Sequence, residues 1–134
     1  MGLLFFNRME KGGIDMKILV VDDEEMTVVA LAKKLRDKDY EVVTSMDGVE
    51  ALKIIADENI DLIISDVMMP CISGFTLLTM LKNFYFSKIP LILMSGYKDK
   101  RIEGISHSLG AHTFISKPID YKELYKKIKD LGHK

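Results

Sequence analysis

The stretch KILVVDDEE, residues 17–25, sends a strand-compatible run straight into four consecutive acids. Ile18–Val21 is uniformly apolar rather than alternating. That suits a strand covered on both faces, as in a parallel sheet packed between helices. Asp22, Asp23, Glu24 and Glu25 then gather negative charge at its carboxyl end. One reading of such a run is a solvated helix start, where acids meet the positive end of the helix dipole. The other is a set of ligands for a cation. What stands at the ends of the other strands decides between them.

Outward from this stretch the same unit recurs. Apolar runs predict strands at 17–21, 41–45, 61–65, 90–94 and 112–116. Helical spacing fills the gaps. Val28, Leu31 and Leu35 share a stripe in 25–38; Val49, Leu52 and Ile55 do so in 47–57, with Asp47 as N-cap. Leu77, Leu78 and Leu81 mark 73–83, with Ser73 as cap, and Ile102 and Ile105 mark a weaker helix over 99–108. In 120–131, Leu124, Ile128 and Leu131 lie opposite a lysine-rich face. Strand and helix alternate five times, which predicts an α/β fold, a doubly wound five-stranded parallel sheet with helices on both sides. Eight units would be needed for a closed barrel.

The bulk numbers agree with one globular domain. The chain has 134 residues, 48% hydrophobic and 29% charged, and its 19 basic and 20 acidic side chains leave a net charge of −1. That balance offers no basic footprint for nucleic acid, and the apolar runs are too short to span a bilayer. Cys71 is the single cysteine, so no internal disulfide forms, which fits a reducing, cytoplasmic setting. His107, His112 and His133 share no metal-ligand spacing. Residues 1–15 read as a leader of disordered character, with an apolar patch at Leu3–Phe6, no basic region before it, and a flexible KGGID link after it. Met16, directly before the first strand, is a candidate alternative start, and 16–134 is the domain.

In open α/β sheets ligands bind beyond the carboxyl ends of the strands. There this chain carries Asp22 and Asp23 after the first strand, Asp66 after the third, Ser95 after the fourth, and Lys117 after the fifth, just before Pro118. Each alone has an ordinary reading: a helix start, a turn aspartate, a loop serine, a surface lysine. Their shared placement at four strand ends carries the weight. Carboxylates held that close repel, and Mg²⁺, which takes oxygen ligands, resolves the repulsion. Add a hydroxyl and an ammonium, and the set suits phosphoryl transfer to a carboxylate.

The motifs ILVVDDEE, DLIISDVMMPCISGFTLL, IPLILMSG and GAHTFISKP resemble the receiver domains of two-component response regulators, over residues 17–131. The resemblance implies a flavodoxin-like fold with strand order 2-1-3-4-5. It implies that Asp66 is the phosphoacceptor, served by a sensor histidine kinase or a phosphotransfer protein. Asp22, Asp23, Asp66 and the main-chain carbonyl of Met68 would hold Mg²⁺. Ser95 and Lys117 would meet the phosphoryl group, Phe114 would be the switch aromatic, and Lys117–Pro118 would be cis. Phosphorylation would reshape the face formed by helix four, strand five and helix five, toward a downstream effector that the sequence does not name. Phe114 also has the plainer reading of a core residue. Met68 and Tyr97 read either as space fillers or as a shield against the water that hydrolyses an acyl phosphate.

Two other classes compete. An Mg²⁺-dependent phosphohydrolase with an aspartyl nucleophile would want a second acid two residues after it, where this chain has Met68, and a cap or substrate pocket. A phosphorylation-independent interaction module would have no chemical need for the intact acids, Ser95 and Lys117. The expected protein therefore catalyses only its own phosphorylation and slow dephosphorylation, and is not an enzyme in the usual sense. It is either a stand-alone receiver or one domain of a longer protein.

Overall fold

The computed structural model describes residues 16–83, 88–96, 100–108 and 113–132. Five strands, β1 (Lys17–Val21), β2 (Glu41–Ser45), β3 (Leu62–Asp66), β4 (Leu91–Ser95) and β5 (Thr113–Ser116), alternate with five helices. The helices are α1 (Glu25–Arg36), α2 (Gly48–Asp57), α3 (Gly74–Asn83), α4 (Lys100–Ser108) and α5 (Tyr121–Gly132). All neighbouring strands pair in parallel, in the order β2-β1-β3-β4-β5. The expected fold class and strand order are both found.

The unbroken apolar runs explain themselves in the burial. Successive strand side chains point to opposite faces, and both faces are covered. Ile18, Val20, Ile64, Ile92 and Ile115 pack on one side with Leu31 and Leu35 of α1 and Leu124 and Ile128 of α5. Leu19, Val21, Ile63, Leu91 and Leu93 pack on the other with Ala51 of α2 and Leu77, Leu78 and Leu81 of α3. Fully burying one such Leu or Ile stabilises the fold by roughly 1.5–3 kcal/mol.

The caps follow the sequence. Asp47 Oδ1 accepts from the Glu50 N–H at 2.7 Å, and Ser73 Oγ accepts from the Thr76 N–H at 3.1 Å. Several boundaries shift. β3 and β4 each run one residue further than read, so Asp66 and Ser95 are the last residues of their strands, not the first beyond them. The parallel ladder is a main-chain pattern, so a polar side chain does not end it. The first helix stops at Arg36 because Lys38 and Asp39 form the turn, with Asp39 at φ 67°. Val49, expected on the inner stripe of α2, is 62% exposed, while Gly48 and Ala51 face inward. Ile105, expected to anchor α4, is 47% exposed, which leaves Ile102 as that helix's half-buried contact with the core. The leader, Tyr97, Asp99, His112 and His133 lie outside the described residues.

Tyr121 and Tyr125, which the sequence leaves undecided between exposure and packing, lie side by side as a tilted ring pair with centroids 6.2 Å apart. Lys34 and Lys38 of α1 lie over their faces, at 5.3 and 5.1 Å from the centroids. The lysine-rich face of α5 is thus partly engaged: Lys127 pairs with Glu123 and donates to the Phe114 carbonyl at 3.0 Å, on the edge strand.

Candidate functional site

Each residue of the site is delivered by the end of a strand. Asp22 continues β1 by one residue; its N–H donates to the Ser45 carbonyl at 3.1 Å, which extends the β1–β2 ladder. Its side chain is fully buried. Asp22 Oδ1 accepts from the Glu24 N–H at 3.0 Å, so the start of α1 serves as its hydrogen-bond donor. Asp23 beside it is exposed. Asp66 closes β3, and its Oδ2 accepts from the Met68 N–H at 3.1 Å. Two tight contacts fix the following loop: the Gly74 N–H donates to the Val67 carbonyl, and the Val67 N–H to the Met94 carbonyl.

Lys117 arrives from the far edge of the sheet. Its N–H donates to the Ser95 carbonyl at 2.7 Å, and the peptide to Pro118 is cis, as the resemblance implied. Its ammonium lies 2.7 Å from Asp22 Oδ2 and 2.9 Å from Asp66 Oδ1. One cation therefore spans both buried acids. Ser95 is fully buried at the end of β4, with Ser116 opposite it in register. Phe114 is half-buried and sits opposite Leu93, within the apolar cluster that Ile102 of α4 also joins. The Met68 side chain is 59% exposed, and Tyr97 is outside the described residues.

The three carboxylates offer oxygens that all lie within 4.8 Å of one another. Burial pushes the Asp66 carboxyl above its ordinary range; the hydrogen bond from Lys117 pulls it back, and repulsion from Asp22 pushes it up again. Burial works against charge on Lys117 too, but its hydrogen bonds to Asp22 and Asp66 outweigh that and hold its pKa above the ordinary value. Three acids facing one ammonium leave the pocket negative. Clustered hard oxygens with a residual negative charge fit Mg²⁺, which binds through one or two carboxylates plus water and phosphate oxygens. The donor set and its spacing therefore suit the cation that the sequence suggests.

Beside Lys117 a groove of about 540 Å³ separates the start of α1 from the β5–α5 turn, lined by Met26, Thr27, Ala30, Pro118, Ile119 and Tyr121 among others. Sequence reading missed it. The signal was present in Met26, an apolar residue off the inner stripe of α1 that is 83% exposed and lines the groove.

The sequence pattern of the response regulator receiver domain family matches residues 18–129. The chain belongs to that family. Receiver domains are generally signalling modules rather than enzymes, and the acidic triad is typical of their magnesium site. Among curated relatives, the chain is 41% identical over 118 residues to the response regulator PleD of Caulobacter vibrioides, an alignment covering 86% of this chain and 26% of that protein. It spans about a quarter to a half of the length of such curated relatives. The Francisella response regulator 1452 receiver domain superposes with a TM-score of 0.84 at 27% identity, covering 89% of this chain and 98% of that one. The chemotaxis response regulator CheY4 of Vibrio cholerae gives 0.80 at 28% identity, with 87% and 98% covered. No helix among the described residues of this receiver is long and apolar enough to cross a membrane.

Proposed function

We propose that residues 16–134 form a receiver, preceded by a leader at 1–15, that works in the cytoplasm as a phosphorylation-driven switch with Asp66 as phosphoacceptor. The observation that carries this reading is the Lys117 ammonium bridging buried Asp22 and Asp66, with Asp23 beside them. A carboxylate of Asp66 attacks the phosphorus of a phosphohistidine on a kinase or phosphotransfer partner. The new bond is Asp66 O–P, the bond that breaks is histidine N–P, and the imidazole leaves with the electron pair. Asp22, Asp23, Asp66 and the Met68 carbonyl are the residues that would hold Mg²⁺, which when bound neutralises the phosphoryl oxygens. Lys117 pairs with the phosphoryl group, a role its contacts with Asp22 and Asp66 support, and the Ser95 hydroxyl is the neutral donor from β4.

The signal then travels along β4 and β5. Lys117 and Ser95 share a main-chain hydrogen bond, and Phe114, two residues before Ser116 in β5, packs on the apolar cluster that Ile102 of α4 also joins. Drawing Ser95 toward the phosphoryl oxygens vacates space for Phe114 and reshapes the α4–β5–α5 face. Among its described side chains, helix α4 offers the core half-buried Ile102 while Ile105 is exposed, the weak anchoring that suits a moving element. The groove between α1 and the β5–α5 turn opens beside Lys117, so a partner carrying the phosphohistidine can seat there, against Met26 and Tyr121.

Incubation with Mg²⁺ and a small acyl-phosphate donor adds the mass of one phosphoryl group to the wild type and none to Asp66→Asn. Equal gain in both proteins overturns the assignment. The same preparation tests Met68, whose exposed side chain stands two residues past the acceptor. Met68→Asn, which exchanges an apolar shield for a group that hydrogen-bonds water, loses its phosphoryl group several-fold faster. Equal or slower loss removes the shielding role.

A further inference from the structure

Gly48, at the start of α2, lies far from Asp66 in sequence and carries no functional group. A Cβ built on it falls 2.6 Å from Ile72 Cβ, 2.8 Å from Ile72 Cγ2 and 3.2 Å from the Ile72 carbonyl oxygen. Ile72 belongs to the loop that follows Asp66, and its side chain packs against the apolar cluster beneath α2 and α3. Ile72 therefore rests in a seat that exists because residue 48 has no side chain. Since the nearest atom is Cβ, bonded directly to the main chain, no rotamer change can open the contact. Any side chain at 48 must move the loop itself or the start of α2.

Both sides of this seat lead to the acids. On one side, Gly48 follows Asp47, whose carbonyl accepts from Ser45 Oγ at 2.7 Å, and the Ser45 carbonyl accepts from the Asp22 N–H. On the other side, the loop carries Met68, whose N–H holds Asp66 Oδ2, and it is closed by the Gly74 N–H bond to Val67. The contact thus completes a ring from Asp22 through β2 and α2 to the loop and back to Asp66. The two ends of the loop are tied down, by buried Val67 and Met69 and by the Gly74 bond; at its middle Cys71 takes φ 67°, the Ile72 N–H bonds back to Pro70, and Ile72 meets α2 at Gly48.

We infer that Gly48 is a positioning residue for the acidic site, the seat on which Ile72 sets the loop between Asp66 and α3. This deepens the phosphoacceptor reading and rests on it where the cation is concerned. The seat itself is a feature of this chain's own packing.

The test is a two-by-two comparison read by calorimetric titration with Mg²⁺ alone. Gly48→Ala weakens Mg²⁺ binding about fivefold or more. In the Ile72→Gly background, where the opposing Cβ is gone, the same Gly48→Ala change has no further effect. An equal loss in both backgrounds, or no loss in the wild-type background, overturns the inference. Should Gly48→Ala not fold, Ile72→Gly carries the test: with its wedge removed it binds Mg²⁺ more weakly than the wild type, and unchanged binding overturns the role. Amide exchange at Gly74 gives a readout that needs no metal. It quickens in Gly48→Ala and in Ile72→Gly, and unchanged exchange in both counts against the seat. Failure of the wild type to bind Mg²⁺, with Gly74 exchange still responding, strikes the phosphoacceptor reading and leaves the seat intact.

Discussion

Lys117→Met lowers stability at neutral pH by about 3 kcal/mol when no divalent cation is present, and Mg²⁺ restores most of the loss. The ammonium is the shared counter-ion of two carboxylates, one fully buried and one 5% exposed, at 2.7 and 2.9 Å. Removing a single partner from a buried ion pair leaves an uncompensated charge, and here it leaves two. Methionine keeps most of the aliphatic stem, so the loss is electrostatic rather than one of packing. The sign of the pH dependence follows from Asp66. Its carboxyl is already pushed above the ordinary range by burial, so in the folded chain it takes up a proton at higher pH than it does unfolded. The burden of its charge is absent below the unfolded value, near 4, and is fully present once the pH has risen through the raised one. The variant should therefore approach the wild type on acidification. Urea unfolding at pH 7 and near pH 4, with and without Mg²⁺, reads all three effects. A variant as stable as the wild type at pH 7 without metal would mean that Lys117 does not neutralise the pair. The same logic predicts tighter Mg²⁺ binding in Lys117→Met, since the cation no longer competes with a tethered ammonium, even as phosphoryl acceptance falls.

Much of this geometry is legible in KILVVDDEE and its counterparts because two simple rules act together. A strand covered on both faces must be apolar throughout, and the fold brings the carboxyl ends of parallel strands to one edge. Asp22, Asp23, Asp66 and Lys117 could be placed together on those rules alone. From sequence Ser95 and Asp66 read as lying just outside their strands because polar side chains look like breaks, whereas the ladder runs through main-chain groups. Val49 reads as an inner residue of α2 because it is the larger apolar side chain, while the inner face is set by Gly48 and Ala51, where the β3–α3 loop comes close. That approach depends on a contact between residues 48 and 72, which no local period encodes. The stacking of Lys34 and Lys38 on Tyr121 and Tyr125 is equally invisible from one end of the chain, since it needs α1 and α5 side by side on the same face. The family match then assigns the fold and the kind of module, and the geometry adds the convergence of Asp22, Asp23, Asp66 and Lys117.

Gly74→Ala should be the most damaging alanine substitution among the described glycines. Its Cβ would fall 2.3 Å from the Asp66 carbonyl oxygen, 3.1 Å from the Asp66 carbonyl carbon and 2.9 Å from Leu93 Cδ2. Leu93 can turn aside, but the carbonyl cannot, because it belongs to the last residue of β3, in the middle of the sheet. Either β3 shifts, which disturbs its pairing with both β1 and β4, or the first turn of α3 lifts away and strains the packing of Leu77, Leu78 and Leu81. Overpacking a rigid site costs up to about 3 kcal/mol, which for a chain of this size lowers the melting midpoint by roughly 10 °C. The Gly74 N–H bond to the Val67 carbonyl must lengthen in either case, and the loop that carries Met68 goes with it. Gly104 supplies the contrast. It is exposed on α4 with nothing within 4 Å of its Cβ position, so Gly104→Ala should raise stability by about 1 kcal/mol through helix propensity alone. Measured side by side, the two changes add the same methyl group and should move the midpoint in opposite directions. Equal shifts would mean that the close approach at Gly74 is relieved without cost, and that the end of β3 is softer than a strand buried on both faces and paired on both edges has any physical reason to be.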